Sequence, residues 1–214
     1  TNFAANNLPG ALSVMAVAEK SNLFNAPETY MNKIAISSSN KGIVDLDYSV
    51  AKNIKNLAEF KNTKPENLTA CLLDRPRHKK LIEQLKSLNV KLKLISDGDI
   101  SGALLVTNED YKIDIFLGIG GGPEGVLAAS ALDSYGCFFQ GKFLFETEED
   151  KLRAKKMGIE NFEKKYELSE IVSGDSIFCA TGITSGDLVK GIDLDEGKFT
   201  SETLITHKST GLRK

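Results

Sequence analysis

Tryptophan is absent from this 214-residue chain, histidine occurs twice and cysteine three times. His78 and His207 are far apart, and neither has a second His or Cys at ligand spacing, which excludes a zinc site of ordinary pattern. Cys71, Cys137 and Cys179 are odd in number, widely separated and set in apolar runs such as Thr69-Ala-Cys-Leu-Leu73, so no disulfide framework is expected. They read as buried thiols in a reducing compartment, the cytoplasm. No run of about eighteen apolar residues occurs, because Glu124, Asp133 and Lys142 interrupt the longest candidate, and no membrane span is expected. Charge of one sign is lacking too: 27 basic against 29 acidic residues give a net charge of -2, which argues against nucleic acid or an anionic membrane as partner. The opening Thr1-Asn-Phe-Ala-Ala-Asn-Asn7 has neither the basic start nor the apolar stretch of a signal peptide. Residue 1 is not methionine, so a segment upstream is expected.

The residues that are present are those of an ordinary globular domain, with 41% apolar and 26% charged. A chain of this length hides roughly 70% of the surface that it exposes when unfolded. Ala11 to Ala18 and Met31 to Ile36 suit buried strands, with Asn25-Ala-Pro27 turning between them. Val50, Ile54, Leu57 and Ala58 recur at helical spacing between Tyr48 and Lys61. A strand at Leu68 to Leu73 is followed by a helix with Leu81, Ile82, Leu85 and Leu88 on one face. Next comes a strand in which Val90, Leu92 and Leu94 alternate with Lys91 and Lys93. Ile113 to Leu117, a glycine-rich turn and a helix at Val126 to Leu132 complete an alternation that argues for an α/β layer with parallel pairings. Beyond Gly136 the rhythm changes. Cys137 to Phe145 reads as a strand or tight hairpin, Glu148 to Met157 as a charged helix ended by Gly158, and Asp175 to Ala180 and Glu202 to His207 as strands. No repeat and no linker marks a domain boundary within residues 1–214.

Three loops carry chemistry. The run Gly118-Ile-Gly-Gly-Gly-Pro-Glu-Gly125 leads from a strand into a helix, with Pro123 suited to the first helical turn. Glycines let a backbone approach phosphate oxygens closely, and a helix N-terminus supplies N–H groups and positive dipole. Gly120 to Gly125 also fits G-x-G-x-x-G. A dinucleotide-dependent dehydrogenase is disfavoured, however, because the strand does not open a complete βαβ unit and Glu124 would repel a bare pyrophosphate. A divalent cation between Glu124 and a phosphate would resolve that repulsion, although a Glu complementing the helix dipole explains the same residue. Ser96-Asp-Gly-Asp99 could hold sugar hydroxyls or a metal, or form an Asp-Gly turn with Asp99 capping the next helix. Arg75-Pro-Arg-His78 offers two guanidiniums to a phosphate, or is a solvated basic turn. All three loops follow the carboxyl end of a strand, the side where open α/β sheets place ligands. Tyr30 could stack or hydrogen-bond in the same cleft.

Together these loops resemble those of class II fructose-1,6-bisphosphatases, in the lithium-sensitive phosphatase superfamily that includes inositol monophosphatases. The matching segments are Asn25-Ala-Pro-Glu-Thr-Tyr-Met31, Arg75-Pro-Arg-His78, Asp97-Gly-Asp99, Gly118 to Gly125, Ala180-Thr-Gly-Ile-Thr-Ser-Gly-Asp-Leu188 and Glu202-Thr-Leu204. They lie in the family's order along nearly the whole chain. The resemblance implies a layered α/β/α/β/α sugar-phosphatase fold with mixed sheets, of which residues 1–214 would be mostly the C-terminal portion. The implied activity is hydrolysis of the 1-phosphate of fructose 1,6-bisphosphate in gluconeogenesis, with Mg²⁺ or Mn²⁺, and in some members of sedoheptulose 1,7-bisphosphate. By position, Glu124 would be a metal ligand, and Tyr30, Arg75, Pro76, Arg77, Asp97, Gly98, Asp99 and Gly121 would contact the sugar bisphosphate. A homo-oligomer is also implied.

The family carries an upstream D-P-[IL]-E-G-T motif and further acidic ligands, and Thr1 corresponds to the last residue of that motif. Thr1 would then touch substrate and help to activate the attacking water. Smaller departures are Pro9-Gly10, and Gly122 where relatives commonly have Ala. With one metal carboxylate left, the 214-residue chain alone is expected to be inactive, its partner being the missing N-terminal segment of the same enzyme. A non-catalytic sugar-phosphate or nucleotide-binding module is the alternative.

Overall fold

The computed structural model describes residues 2–214. The chain enters through α1 (Asn2–Ala5) and β1 (Leu12–Ala18), then runs through β2 (Tyr30–Ile36), α2 (Val50–Phe60), β3 (Thr69–Leu73), α3 (Lys79–Ser87) and β4 (Lys91–Ile95). It continues through α4 (Asp99–Leu104), β5 (Ile115–Gly121), α5 (Gly122–Ser134), β6 (Phe138–Leu144) and α6 (Glu148–Lys156). The last part holds β7 (Lys165–Glu167), α7 (Leu168–Ile171), β8 (Ser176–Gly182), β9 (Asp193–Asp195), β10 (Lys198–Thr200), β11 (Thr203–His207) and β12 (Leu212–Arg213).

Six strands form one mixed sheet in the order β4-β3-β5-β2-β6-β7, and four form an antiparallel sheet in the order β1-β8-β11-β12. β9 and β10 make a separate two-stranded ribbon. Parallel pairing is confined to β4-β3-β5, narrower than the alternation of strands and helices predicts. β2 runs antiparallel to both β5 and β6 because it precedes that unit and reaches the sheet by a loop rather than a crossover helix.

Two apolar layers flank the large sheet. On one face Ile34, Ile36, Leu72 and Ile115 pack with Ile54 and Leu57 of α2 and Leu85 of α3. On the other, Met31, Ala35, Cys71 and Phe116 pack with α4, α5 and α7, and this layer reaches Phe178 and Ala180 of β8. The stacking is therefore helices, six-stranded sheet, helices, four-stranded sheet: a mixed α/β fold. Among the described residues no further helix layer covers the outer face of the four-stranded sheet. Met15, Val17 and Ile177 stand there 55%, 50% and 39% exposed. β1 is consequently an edge strand with alternating exposure, not the buried strand its apolar run suggests.

Local chemistry sets most boundaries. Ser49 accepts the Lys52 N–H and starts α2 two residues after Tyr48. Thr147 and Asp150 form a reciprocal capping box at α6, which ends one residue before Met157, with Gly158 beyond it at φ 86°. Within the run from Cys137 to Phe145, Phe138–Leu144 is one strand, β6, and not a hairpin, because its Gly141 pairs in register with Lys33 and does not turn. On the edge strand β4 the alternation slips: Leu94 is 41% exposed, while the half-buried Lys93 pairs with Asp187 at 2.5 Å. Cys71 and Cys137 are buried, and burial pushes both thiols up to about 12, leaving them inert. Cys179 departs from the expectation, since it is only half-buried in β8. No helix of the described residues is long and apolar enough to cross a membrane.

Phe143 gathers Phe24, Phe145 and Tyr166 at ring-centroid distances of 5.7, 6.2 and 5.6 Å. Phe143→Ala should cost about 3–5 kcal/mol in urea unfolding. Phe199→Ala, on a side chain 75% exposed, should stay within about 0.5 kcal/mol of the parent.

Candidate active site

The parallel strands β4, β3 and β5 end at one rim, so the loops after Ile95, Leu73 and Gly121 emerge side by side. Antiparallel β2 begins at the same rim, where Tyr30 pairs with Gly121. A cavity of about 320 Å³ opens there, walled by Arg75, Arg77, Asp97, Asp99, Gly121 and Glu124 together with Gly98 and Gly120. Phe3 of α1 lines it as well.

Each side chain is held by a nameable contact. Arg75 precedes the single 3₁₀ turn Pro76–His78, and its Nη2 lies 3.7 Å from Asp97 Oδ1. Pro76 starts that turn and is not among the cavity walls, so its role is to set the backbone between the two arginines. Arg77 donates Nε–H to the Ile119 carbonyl at 3.0 Å, and its guanidinium carbon lies 4.9 Å from the Tyr30 ring centroid. Tyr30, 44% exposed, lines an adjoining hollow with Gly121 and Glu124. Asp97 accepts the Gly98 N–H at 3.0 Å, and Gly98 takes φ 90°, a left-handed angle that any side chain would resist. Gly98 is the residue that caps α4, and Asp99 is the first helical residue. The capping role considered for Asp99 is therefore not the observed one, because its carboxylate turns inward to the ammonium of Lys33.

The glycine run differs from expectation. Gly118 to Gly121 are paired strand residues of β5, and the helix starts at Gly122 with Pro123 in its first turn. A Cβ at Gly120 would collide with the Asp99 carboxylate, and one at Gly121 with that of Glu124. The missing side chains thus make room for two acidic groups of the protein. Glu124 itself is exposed in the first turn of α5, where a carboxylate complements the helix dipole.

Two groups lay outside the sequence-based candidates for this site. Lys33 is buried in β2, and His78 is 1% exposed behind the arginine loop. The Ile119 N–H donates to His78 Nε2 at 2.8 Å, which places the ring proton on Nδ1, and Nδ1–H donates to the Leu73 carbonyl at 2.7 Å. His78 thereby ties the end of β3 to the glycine strand. The signal available for Lys33 was a lysine on the same strand face as Met31 and Ala35. Thr1, the proposed water-activating residue, lies outside the described residues.

The donor set for a metal is short. Among the described residues no group of three or more His, Cys, Asp or Glu side chains converges on one point. Glu124 offers one carboxylate, and Asp99 Oδ2 is engaged by Lys33. These residues do not by themselves make a metal centre.

The chain matches the family described as bacterial fructose-1,6-bisphosphatase, glpX-encoded, over residues 1–214. A protein of Synechococcus sp. (strain JA-3-3Ab), named D-fructose 1,6-bisphosphatase class 2/sedoheptulose 1,7-bisphosphatase, is 38% identical over 218 residues, 96% of this chain and 63% of that protein. Proteins of the same name from Microcystis aeruginosa and Trichodesmium erythraeum are each 36% identical, covering 96% and 100% of this chain. The chain spans 63% and 66% of the length of those two.

Burial holds the His78 imidazole below its ordinary range, and the nearby Arg77 charge acts in the same direction. On acidification through about pH 6.5 the unfolded chain takes up this proton before the folded one, so the stability contributed by neutral His78 is full above that pH and lost below it. His78→Gln should cost about 1–3 kcal/mol near pH 8, and the gap to the parent should narrow near about pH 5.5 in urea unfolding. A gap that does not change with pH would show that His78 is not held neutral.

Proposed function

Because the chain belongs to the family of glpX-encoded bacterial fructose-1,6-bisphosphatases, we propose that it forms the sugar-phosphate-binding part of an enzyme that hydrolyses the 1-phosphate of fructose 1,6-bisphosphate. That relatives are named for both fructose and sedoheptulose bisphosphatase activity supports including the seven-carbon sugar in this proposal. The observation that carries it is the meeting of Arg75, Arg77, Asp97, Asp99 and Glu124 around one cavity. Guanidiniums grip phosphate by paired N–H donors, and carboxylates accept from sugar hydroxyls. Arg77 is pre-aimed by the Ile119 carbonyl and by the Tyr30 ring, so less side-chain freedom is lost when phosphate binds.

Two guanidiniums and three carboxylates line the cavity, a balance that does not by itself draw in a doubly phosphorylated anion. Arg75 and Arg77 must therefore take phosphate on their own side, while Glu124 faces it as a like charge. We propose that a divalent cation, Mg²⁺ or Mn²⁺, relieves this repulsion, with Glu124 giving one oxygen ligand and the remaining ligands coming from the part of the relatives' length that this chain does not span. Bound there, such an ion would neutralise phosphoryl charge and lower the pKa of a coordinated water. Thr1 is proposed to orient that water.

Phosphate-release assays test this reading. The 214-residue chain alone should show no turnover, and an enzyme of the relatives' full length should lose turnover on chelation. In that full-length enzyme Glu124→Ala should lower kcat about 10²-fold or more with KM little changed. In the same full-length enzyme Arg77→Met should raise the KM for fructose 1,6-bisphosphate about tenfold or more. Tight binding that is indifferent to chelator, with no turnover at full length, would instead identify a non-catalytic binding module.

A further inference from the structure

Lys33 is the largest side chain in the molecule that is fully buried, at 1% exposure. It stands in the middle of β2, flanked in register by Gly118 of β5 and Gly141 of β6. Its stem passes under Gly125 of α5, where a Cβ would come within 3.1 Å of Lys33 Cε. Beyond that gap the ammonium reaches Asp99 Oδ2 at the start of α4. Three glycines thus surround a cation placed on the face that otherwise carries Met31 and Ala35.

A buried ammonium is costly, and pairing it with a carboxylate repays the cost only where the remaining lone pairs are also satisfied. Here they are not. Asp99 Oδ1 is shut from solvent and has no hydrogen-bond partner among the described residues, although Asp99 belongs to the cavity wall and its side chain is only 10% exposed. With that oxygen unpartnered, the carboxylate is held in place chiefly by the Lys33 ammonium.

We infer that Lys33 is a positioning residue: it fixes from behind the Asp99 carboxylate that stands in the cavity wall, where that carboxylate meets a hydroxyl of a polyhydroxylated ligand whose phosphate the arginines hold. The inference rests on the sugar-phosphate reading and adds to it a residue that cannot touch the ligand. Without the ammonium, Asp99 loses the contact that holds its carboxylate in the cavity wall. Arg75 and Arg77 have contacts of their own with Asp97, Ile119 and Tyr30, so phosphate binding does not depend on Lys33.

The test uses an enzyme of the relatives' full length carrying Glu124→Ala, so that binding is read without turnover, with calorimetry and two probes, fructose 1,6-bisphosphate and inorganic phosphate. Lys33→Met should weaken the bisphosphate about tenfold or more, the scale of one lost hydrogen bond to a charged group, and leave inorganic phosphate within about twofold. Loss of affinity for both probes alike would mark Lys33 as merely structural and overturn the inference. So would bisphosphate binding by Lys33→Met at parental affinity. Should that variant fail to fold, Lys33→Met combined with Asp99→Asn removes both buried charges and is read against Asp99→Asn alone. Equal bisphosphate affinity in the two supports action through Asp99, and a further tenfold loss in the double variant overturns it. If the full-length Glu124→Ala parent binds neither probe, the sugar-phosphate reading falls and this inference with it, which separates that failure from the others.

Discussion

Space left by absent side chains between Gly118 and Gly125 is the constraint on which the site depends. A Cβ at Gly118 would press on the His78 ring, at Gly120 on Asp99, at Gly121 on Glu124 and at Gly125 on Met31 and Lys33. A single stretch of eight residues therefore admits the histidine that ties two strands, the inward-turned Asp99 carboxylate, the exposed Glu124 carboxylate and the buried lysine. Because β5 and α5 carry these gaps at the centre of the sheet rather than at an edge, groups from β2, β3 and α4 can converge there without widening the sheet.

That convergence explains how an almost neutral chain can present a strongly polarised pocket. Positive groups arrive from the loop after β3 and from beneath β2, while carboxylates arrive from the loop after β4 and the start of α5. Each cation is held by a partner other than a ligand: Arg75 by Asp97, Arg77 by a carbonyl and a ring, Lys33 by Asp99. Preorganisation of this kind lowers the entropy lost on binding and fixes where charge meets charge.

Much of the fold was legible because it rests on local rules. The helical spacing of Ile54, Leu57 and Ala58 and the Gly158 stop give α2 and α6 to within two residues. The three loops at strand ends were readable for the same reason, as turn-forming and charged residues interrupt apolar runs. What escaped depended on non-local partners. Short pieces such as β7, α7 and the β9–β10 ribbon carry three or four residues each, too few for a periodicity. The exposure of one face of β1 depends on what lies across the four-stranded sheet.

The sequence by itself determined the residue types at the rim, the α/β alternation and the resemblance to a sugar-bisphosphatase family, because turn chemistry and side-chain period are properties of neighbouring residues. Only the tertiary structure decided what the glycines are for. Read along the chain, Gly120 and Gly121 suggest a backbone open to phosphate. In three dimensions their empty positions are filled by Asp99 and Glu124. Lys33, an apparent misfit in an apolar strand, became intelligible only once α4 brought a carboxylate from 66 residues away to meet it. Pairing across that distance is set by strand order, which no local pattern encodes.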